Sequence, residues 1–154
     1  MPLGEYNRKR DFSKTKEPAG TPASSEDAPI FVVQKHKASH LHYDLRLEVG
    51  GVLKSWAVPK EPPTEEGVRR LAVETEDHPL GYASFEGTIP EGEYGAGTVE
   101  IWDRGTYVPE RIGDKEIIFS LEGKKMRGRY VLVKIKPTPR YPGEKSWLLF
   151  RKKA

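Results

Sequence analysis

The stretch HLHYDLRLEVGGVLKSWAV, residues 40–58, decides the fold of this chain. Polar and apolar residues alternate along its first half, which is the pattern of a half-buried β-strand whose successive side chains point to opposite faces. The Gly50–Gly51 pair is typical of a tight hairpin turn, and the run after it has the composition of a returning strand. The stretch therefore predicts a β-hairpin with one apolar face and one face of ionisable side chains.

Similar short runs of β-branched and aromatic residues recur along the chain, separated by Gly, Pro and Asp. They lie at 30–36, 68–76, 97–109, 116–123, 128–136 and 146–152. No segment sustains a helical period over three turns, although 64–70 or 77–85 has room for a single helical turn. About eight short strands at this spacing predict an all-β barrel or sandwich.

The composition is that of one polar globular domain of 154 residues, 36% hydrophobic and 32% charged. The absence of cysteine excludes disulfides and thiolate metal sites and fits a reducing cytoplasm. No apolar run approaches the length of about 18 residues that a membrane span needs, and the first residues lack the apolar core of a signal peptide. The net charge of +3 and the pI of about 9.0 permit a polyanionic partner without requiring one.

Residues 1–29 differ from the rest in composition. This N-terminal extension is charged, rich in Pro and Ser, and almost without apolar periodicity. Such a segment cannot bury enough apolar surface to fold alone, so its composition predicts disorder. The strand pattern begins at residue 30, and we assign residues 30–154 to the β domain.

The ionisable face of the hairpin carries His40, His42, Asp44 and Arg46 at alternate positions. A solvated strand face is the simplest interpretation. The residue types favour chemistry instead, because exposed strand faces usually carry Thr, Lys and Glu. Histidine is scarce on such faces, yet all four histidines of this chain fall between residues 36 and 78.

A metal site is the second interpretation of this face. His42 and Asp44 can both reach a single divalent ion, and imidazole with carboxylate suits Mn, Fe or Zn. A third ligand must come from His36, His40 or His78, and spacing alone favours His40 on the same strand face. His36 lies further along the chain and would need a bend or a bulge to return to the site.

The third interpretation adds Arg46, whose guanidinium offers a planar pair of donors to a phosphate. A metal, an arginine and a histidine that donates a proton form a phosphoryl-transfer arrangement. Two alternatives stay open here. The H-x-D motif with His78 matches the facial triad of non-heme iron 2-oxoglutarate oxygenases, although the interval of 34 residues is shorter than expected for them. A non-catalytic nucleic-acid-binding barrel would need no metal at all.

A glycine-rich stretch, GTIPEGEYGAGT at residues 87–98, is the other conspicuous feature. It lacks the Lys-Ser/Thr ending of a P-loop and does not open a helix. We interpret it as a turn that leads into the next strand.

Two long stretches together resemble a known family. They are FVVQKHKASHLHYDLRLEVGGVLKSWAVPK, residues 31–60, and VRRLAVETEDHPLGYASFEGTIPEGEYGAGTVEIWDRGTY, residues 68–107. Both are similar to the 3′-phosphoesterase domain of the bacterial DNA ligase D family, which works in non-homologous end joining. The resemblance covers residues 5 to about 150. It implies a compact, closed or nearly closed β-barrel of about eight strands with an active-site groove.

The resemblance also implies an activity, a cofactor and partners. The enzyme would use Mn²⁺, with Co²⁺ or Zn²⁺ as alternatives, to heal DNA 3′ ends on a primer–template. It would remove a 3′-terminal ribonucleoside, leaving a 3′-phosphate, and then remove that phosphate to leave a 3′-OH. A separate DNA ligase, a polymerase and an end-binding protein are candidate partners. We expect a cytoplasmic monomer, either a free-standing protein or an excised domain.

The family motif assigns the metal ligands to His36, His42 and Asp44. This overrules the spacing preference for His40, which keeps a supporting or structural role.

The same motif assigns catalytic roles to Arg46, His78 and Tyr82. Arg46 and His78 would contact the scissile phosphate, and His78 would protonate the leaving oxygen. Positions that line or support the groove are Arg10, Asp11, Glu17, Gln34, Lys60, Arg70 and Glu76.

Two finer expectations follow from the resemblance. Residues 10–18 should dock near the active site, which narrows the predicted disorder to about 1–6 and 19–28. For substrate binding, we expect Arg10, Lys60 and Arg70 to contact the DNA backbone. The 2′-OH of the terminal nucleoside would be recognised by a polar side chain, with three candidates: Glu76, Gln34 and Tyr82.

Overall fold

The computed structural model describes residues 3–18 and 28–153. Within these residues the strands are β1 (Ile30–Lys37), β2 (Leu41–Val49), β3 (Val52–Val58), β4 (Arg69–Pro79), β5 (Gly87–Ile89), β6 (Gly97–Ile112), β7 (Glu116–Glu122), β8 (Arg127–Lys134) and β9 (Ser146–Arg151). Two short helical segments accompany them, α1 (Gly4–Arg8) and a 3₁₀ helix (Leu80–Ser84).

Eight of these strands close into an antiparallel barrel. Their order is β1-β2-β3-β4-β9-β8-β7-β6, and β6 pairs back with β1. The short β5 pairs with β6 outside this ring. The predicted all-β barrel of about eight strands is confirmed. The helical turn expected within 77–85 is the 3₁₀ helix, whereas residues 64–70 form no helix.

The predicted hairpin is formed by β2 and β3. Val49 and Val52 are register partners, and the two glycines between them have φ angles of 60° and 84°. Both Gly50 and Gly51 therefore adopt the left-handed region that a type I′ turn needs and that other residues reach only at a cost.

The apolar face of this hairpin points into the barrel. Tyr43, Leu45 and Leu47 of β2 are buried there, and every strand of the barrel contributes to the same cluster. Trp56 of β3 meets Trp147 of β9 edge-on, with ring centroids 5.7 Å apart. The apolar half of the alternation is thus the barrel core.

A second apolar layer covers one side of the barrel from outside. Val32 and Leu53 point outward from β1 and β3, and the 3₁₀ helix and the N-terminal segment pack on them. The members of this layer are Tyr6, Val32, Leu53, Tyr82, Ala83, Phe85, Ile89 and Val99. Val32 is the register partner of Arg46, so the ionisable face of β2 lies on the outer wall of the barrel beside this layer.

The N-terminal segment corrects one expectation. Residues 3–18 cross the outer wall of the barrel, where Leu3 and Tyr6 are buried and Tyr6 donates a hydrogen bond to the Pro18 carbonyl at 2.5 Å. Disorder was predicted for residues 1–6, whereas the structure buries Leu3 and Tyr6 of this stretch, because isolated apolar residues in a polar segment give no periodic signal. The predicted disorder at 19–28 falls mostly on 19–27, which lie outside the described residues. Neither helix of the described chain has the length or the hydropathy needed to cross a membrane.

Candidate active site

The ionisable face of β2 forms one wall of a cavity of about 300 Å³. The N-terminal segment, β4 and the glycine-rich loop between β5 and β6 also contribute to its lining. Its lining includes His42 and Asp44 from β2, Glu76 from β4 and Tyr94 from the loop. Side chains from distant parts of the sequence thus converge on this outer wall.

Strand pairing brings the three expected metal ligands together. His36 of β1 is the register partner of His42 of β2, and their rings lie 4.7 Å apart. Asp44 follows two residues later on the same face, with Oδ2 3.6 Å from His36 Nδ1 and 3.3 Å from His42 Nε2. The ligand atoms of all three lie within 4.8 Å of one another. His36 reaches the site without a bend in the chain, because the pairing of β1 with β2 sets it beside His42.

Backbone carbonyls hold the outward nitrogens of both imidazoles. His36 Nε2 lies 2.7 Å from the Gly95 carbonyl oxygen, and His42 Nδ1 lies 3.1 Å from the His40 carbonyl oxygen. Each of these nitrogens therefore donates its hydrogen to a carbonyl. The other nitrogen of each ring then faces Asp44 and can carry either a proton or a lone pair for a cation. Histidines that bind metals usually donate the hydrogen of their other ring nitrogen to a carbonyl in this way. The set of His36, His42 and Asp44 therefore fits a divalent ion.

Local charge keeps Asp44 ionised. Burial alone would raise the pKa of this carboxyl, but the Arg46 guanidinium and the hydrogen bonds from His36 and His42 hold it far below the usual range. For His42, burial lowers the pKa, yet Asp44 outweighs burial and the net shift is upward. A proton and a metal ion therefore compete for the same position between the imidazoles and Asp44.

The position expected as a third ligand from spacing, His40, lies just before β2 and its side chain is exposed. The alternation that suggested His40 breaks because the strand begins at Leu41. The contribution of this residue to the site is its carbonyl, which accepts the hydrogen of His42. Among the described residues, His78 is also outside the candidate metal-binding group of His36, His42 and Asp44, so the oxygenase triad with a downstream histidine is not formed.

Arg46 is buried beside the metal-binding group, with 3% of its surface exposed. Its Nε donates to Gln34 Oε1 at 2.7 Å, and its Nη1 donates to Ser55 Oγ at 2.9 Å. Its Nη2 lies 3.5 Å from Asp44 Oδ2, and its guanidinium carbon is 4.8 Å from the centre of the Tyr82 ring. These contacts fix the plane of the guanidinium next to the three ligands.

A β-bulge turns His78 toward Arg46. Leu53 pairs with His78 and Ser55 pairs with Thr75, so β4 has an extra residue between these two pairs. The bulge places Thr75 and His78 on the same outer wall, where Arg46 Nη1 and His78 Nδ1 are 3.2 Å apart. Without it, His78 would point to the other side of the sheet.

His78 is held neutral. Its Nδ1 lies 2.9 Å from the Glu76 carbonyl oxygen and donates its hydrogen there, which leaves the Nε2 lone pair facing Arg10 Nη2 at 3.4 Å. Burial, followed by the charges of Arg46 and Arg10, lowers the pKa of His78 well below its usual value.

The N-terminal segment contributes a buried ion-pair network. Arg10 Nε donates to Glu17 Oε2 at 2.8 Å, and its Nη1 is 3.4 Å from Glu76 Oε2. Tyr82 donates its hydroxyl hydrogen to Glu17 Oε2 at 2.7 Å. Burial raises the pKa of this hydroxyl far above its usual value, although Arg46 acts in the opposite direction. The Tyr82 hydroxyl therefore stays protonated and hydrogen-bonded to Glu17.

Most of the remaining predicted residues have structural partners. Gln34 Nε2 donates to the Tyr82 and Phe85 carbonyls, so its amide joins the barrel to the 3₁₀ helix. The exposed Asp11 accepts hydrogen bonds from the backbone and hydroxyl of Ser13. Lys60 is also exposed, and Arg70 Nε donates to the Glu61 carbonyl. Of these residues, Gln34, Asp11, Lys60 and Arg70 do not line the cavity.

Comparison with known proteins adds an independent observation. Residues 34–134 match the family model described as "DNA Ligase D 3'-phosphoesterase domain". This chain belongs to that family. The matched range contains the three candidate metal ligands, His36, His42 and Asp44, and also Arg46, His78 and Tyr82.

Relatives of this 3′-phosphoesterase domain family member are larger proteins. It is 51% identical over 140 residues to the multifunctional non-homologous end joining protein LigD of Pseudomonas aeruginosa, and 53% identical over 137 residues to its counterpart in Mycobacterium tuberculosis. Each alignment covers 86% of this chain, but only 17% and 18% of the respective relative. The LigD protein of Mycolicibacterium smegmatis is 46% identical in an alignment 163 residues long. This alignment covers 98% of this chain and 20% of the relative. The chain thus spans about a fifth of the length of these relatives.

Several residues of the family member's site were not predicted from the sequence. Ser55 was missed because a lone serine in an apolar strand looks structural, although its register partner is Arg46. The glycine-rich loop was read as a plain turn, yet Gly95 holds His36 and Tyr94 lines the cavity. Lys9, which bonds Glu76 and the Tyr94 hydroxyl, belongs to a segment whose first residues were expected to be disordered. Only the repeated glycines gave a sequence signal for the loop.

Proposed function

We propose that this protein is a manganese-dependent 3′-phosphoesterase that heals DNA 3′ ends. It removes a 3′-terminal ribonucleoside from a primer–template and then removes the remaining 3′-phosphate to leave a 3′-OH. The observation that carries the proposal is the convergence of two histidines and one carboxylate, each held by backbone or charge, beside a buried arginine. Membership in a 3′-phosphoesterase domain family supports the reaction class.

His36, His42 and Asp44 would hold the ion, with room for Co²⁺ or Zn²⁺ in place of Mn²⁺. A divalent ion bound there supplies Lewis-acid stabilisation of a phosphate oxygen and lowers the pKa of a bound water.

Arg46 is the main protein side chain that would bind the phosphate. Its side chain is fixed by Gln34 and Ser55, so its guanidinium loses little conformational entropy when it binds a second phosphate oxygen. A buried, pre-oriented cation stabilises the negative charge that accumulates on phosphate oxygens during transfer. Asp44 Oδ2 lies 3.5 Å from Arg46 Nη2 and pairs with the guanidinium.

His78 enters the reaction as a neutral imidazole. Its two arginine neighbours disfavour a proton on Nε2 until a negative phosphate is bound between them. Proton donation from His78 to the leaving oxygen would therefore depend on substrate binding. Tyr82 supports the site through its ring under Arg46 and its bond to Glu17, and its hydroxyl takes no part in proton transfer.

The test is digestion of a 5′-labelled primer–template that ends in one ribonucleotide. With Mn²⁺ alone, under exclusion of oxygen, we expect a 3′-phosphate product followed by a 3′-OH product. Asp44→Asn should remove both products, and Asp11→Asn, which changes an exposed carboxylate outside the cavity, should remove neither. Turnover that requires iron and 2-oxoglutarate would establish the oxygenase alternative. Tight binding without product under any metal would establish a non-catalytic DNA-binding barrel.

A further inference from the structure

We propose that Tyr94 is the platform on which the base of the 3′-terminal nucleoside stacks. This inference rests on the proposed function and assigns a substrate contact within the same cavity. Tyr94 would contact the nucleoside that leaves, whereas the metal-binding group and Arg46 would act on the phosphate.

The loop that carries Tyr94 is firmly built. Inside it, the Glu93 amide donates to the Pro90 carbonyl at 3.2 Å and the Ala96 amide donates to the Glu93 carbonyl at 3.1 Å. The next residue after Tyr94 is Gly95, whose φ of 77° favours glycine and whose carbonyl accepts the hydrogen of His36. One short loop therefore fixes both a metal-binding imidazole and the aromatic ring, which sets their relative position.

The environment of the Tyr94 ring is not that of a packing residue. Tyr6, Tyr107 and Tyr130 are buried in apolar clusters, but Tyr94 leaves 47% of its surface exposed while it lines the cavity. Its partners are cations: Lys9 Nζ lies 4.6 Å from the ring centre and 3.4 Å from the hydroxyl. The Arg10 guanidinium carbon lies 5.4 Å from the same centre. The two cations hold the ring in the lining of the cavity, and about half of the Tyr94 surface is left exposed to a ligand.

The base of a nucleoside substrate would explain an exposed aromatic ring at this position. The other aromatic side chain that lines the cavity, Tyr82, is buried under Arg46, and most of the remaining lining is charged or polar. A nucleobase presents two apolar faces that need a partner once the strand end is out of the duplex stack. Stacking on an aromatic ring works for every base, because each base has a π-face. An enzyme that repairs ends of any sequence needs this kind of tolerance.

The test crosses two enzyme changes with two substrates. Tyr94→Ala and Tyr94→Phe are compared with wild type on primers that end either in a ribonucleotide or in the matching abasic ribose. We expect Tyr94→Ala to lower kcat/KM about 10- to 100-fold on the base-bearing end, and to change it less than about 3-fold on the abasic end. Tyr94→Phe, which keeps the ring, should stay within about 3-fold on both ends. Tyr141→Ala, a partly exposed tyrosine outside the cavity, is the matched control.

The dependence on the base separates stacking from a structural role. An equal loss on both ends would mean that Tyr94 acts through His36 or Lys9, and would overturn the proposal. Full activity of Tyr94→Ala on both ends would also overturn it, while the proposed end-healing function would stand. If wild-type enzyme trims neither end, the proposed function fails and this inference fails with it. Should Tyr94→Ala not fold, Tyr94→Leu tests the same contrast with a similar side-chain volume.

Discussion

Arg46 shows how one residue can combine burial with charge. Its guanidinium contacts an amide, a hydroxyl, an imidazole, a carboxylate and an aromatic ring, so five different partners fix a single orientation. A buried charge left without partners is costly, and this degree of satisfaction is what makes the position tolerable. The arrangement also explains why the alternating strand carries an arginine where a lysine would be ordinary.

Replacement of Arg46 tests its separation from the metal. Arg46→Ala should lower kcat by about 10²- to 10³-fold or more, the range seen when one pre-oriented donor to transition-state charge is removed. Manganese affinity, measured by electron paramagnetic resonance, should persist because Arg46 supplies no ligand. Arg46→Lys should recover little of the lost activity, since an ammonium cannot reproduce the planar pair of donors. Loss of manganese from the alanine variant would place Arg46 among the groups that hold the metal.

His78 predicts a pH dependence of stability in the metal-free protein. Its pKa is lower in the folded state than in the unfolded chain, so the two states bind protons equally above about pH 6.5. Below that pH the unfolded chain takes up a proton that the folded state refuses. The free energy of unfolding should therefore fall by up to about 1.4 kcal/mol per pH unit from this residue alone.

The measurement is urea unfolding at pH 7.5 and 5.5, with wild type compared with His78→Asn. The difference between the two proteins isolates His78 from the other histidines, of which His42 has a raised pKa and acts in the opposite direction. The variant should lose less stability on acidification. Parallel losses would show that His78 accepts a proton in the folded state.

At the scale of elements, the site depends on how neighbouring strands are paired. The pairing of β1 with β2 sets His36 opposite His42, and the pairing of β2 with β3 sets Ser55 opposite Arg46. The bulge in β4 then turns His78 to the same wall. A shift of one residue in any of these pairings would move the side chains to the other face of the sheet. The N-terminal segment also contributes to the site, because Glu17 accepts hydrogen bonds from Arg10 and Tyr82.

Glu17 tests whether the N-terminal segment is part of the domain. Its carboxylate is buried between Arg10 and Tyr82, so Glu17→Ala should cost about 3–5 kcal/mol of unfolding free energy, as expected when one partner of a buried pair is removed. Asp11→Ala, on the same segment but exposed, should change stability far less than Glu17→Ala does. Denaturant unfolding of both variants gives the comparison. Equal stabilities of the two variants would mean that the segment lies loosely on the barrel.

At the scale of the whole molecule, the barrel serves as a wall. Its interior is filled by apolar side chains, and the candidate site lies on the outer wall beside a second apolar layer. This separation lets the core fix the geometry of the site while the N-terminal segment and the glycine-rich loop shape its opening. The interaction of the molecule with a DNA end would then take place on one face.

Local patterns were sufficient to predict the eight barrel strands, the hairpin turn and the polar face of β2, because alternation and glycine pairs have direct conformational causes; β5 lies in the stretch interpreted as a turn. The arrival of His36 was not predictable from spacing, since it depends on pairing between strands. The bulge beside His78 and the Gly95 carbonyl were also beyond reach, because both are backbone features that side-chain patterns do not encode. For His36, only the family resemblance gave the assignment.

If the proposed function is right, His36, His42 and Asp44 hold one metal ion beside Arg46. The most direct measurement is a crystal structure grown with Mn²⁺ and examined by anomalous scattering. We predict one peak within about 2.0–2.6 Å of His36 Nδ1, His42 Nε2 and an Asp44 carboxylate oxygen, the range usual for these ligand types. The absence of a peak at this group under saturating Mn²⁺, or a peak held by other residues instead, would contradict the account.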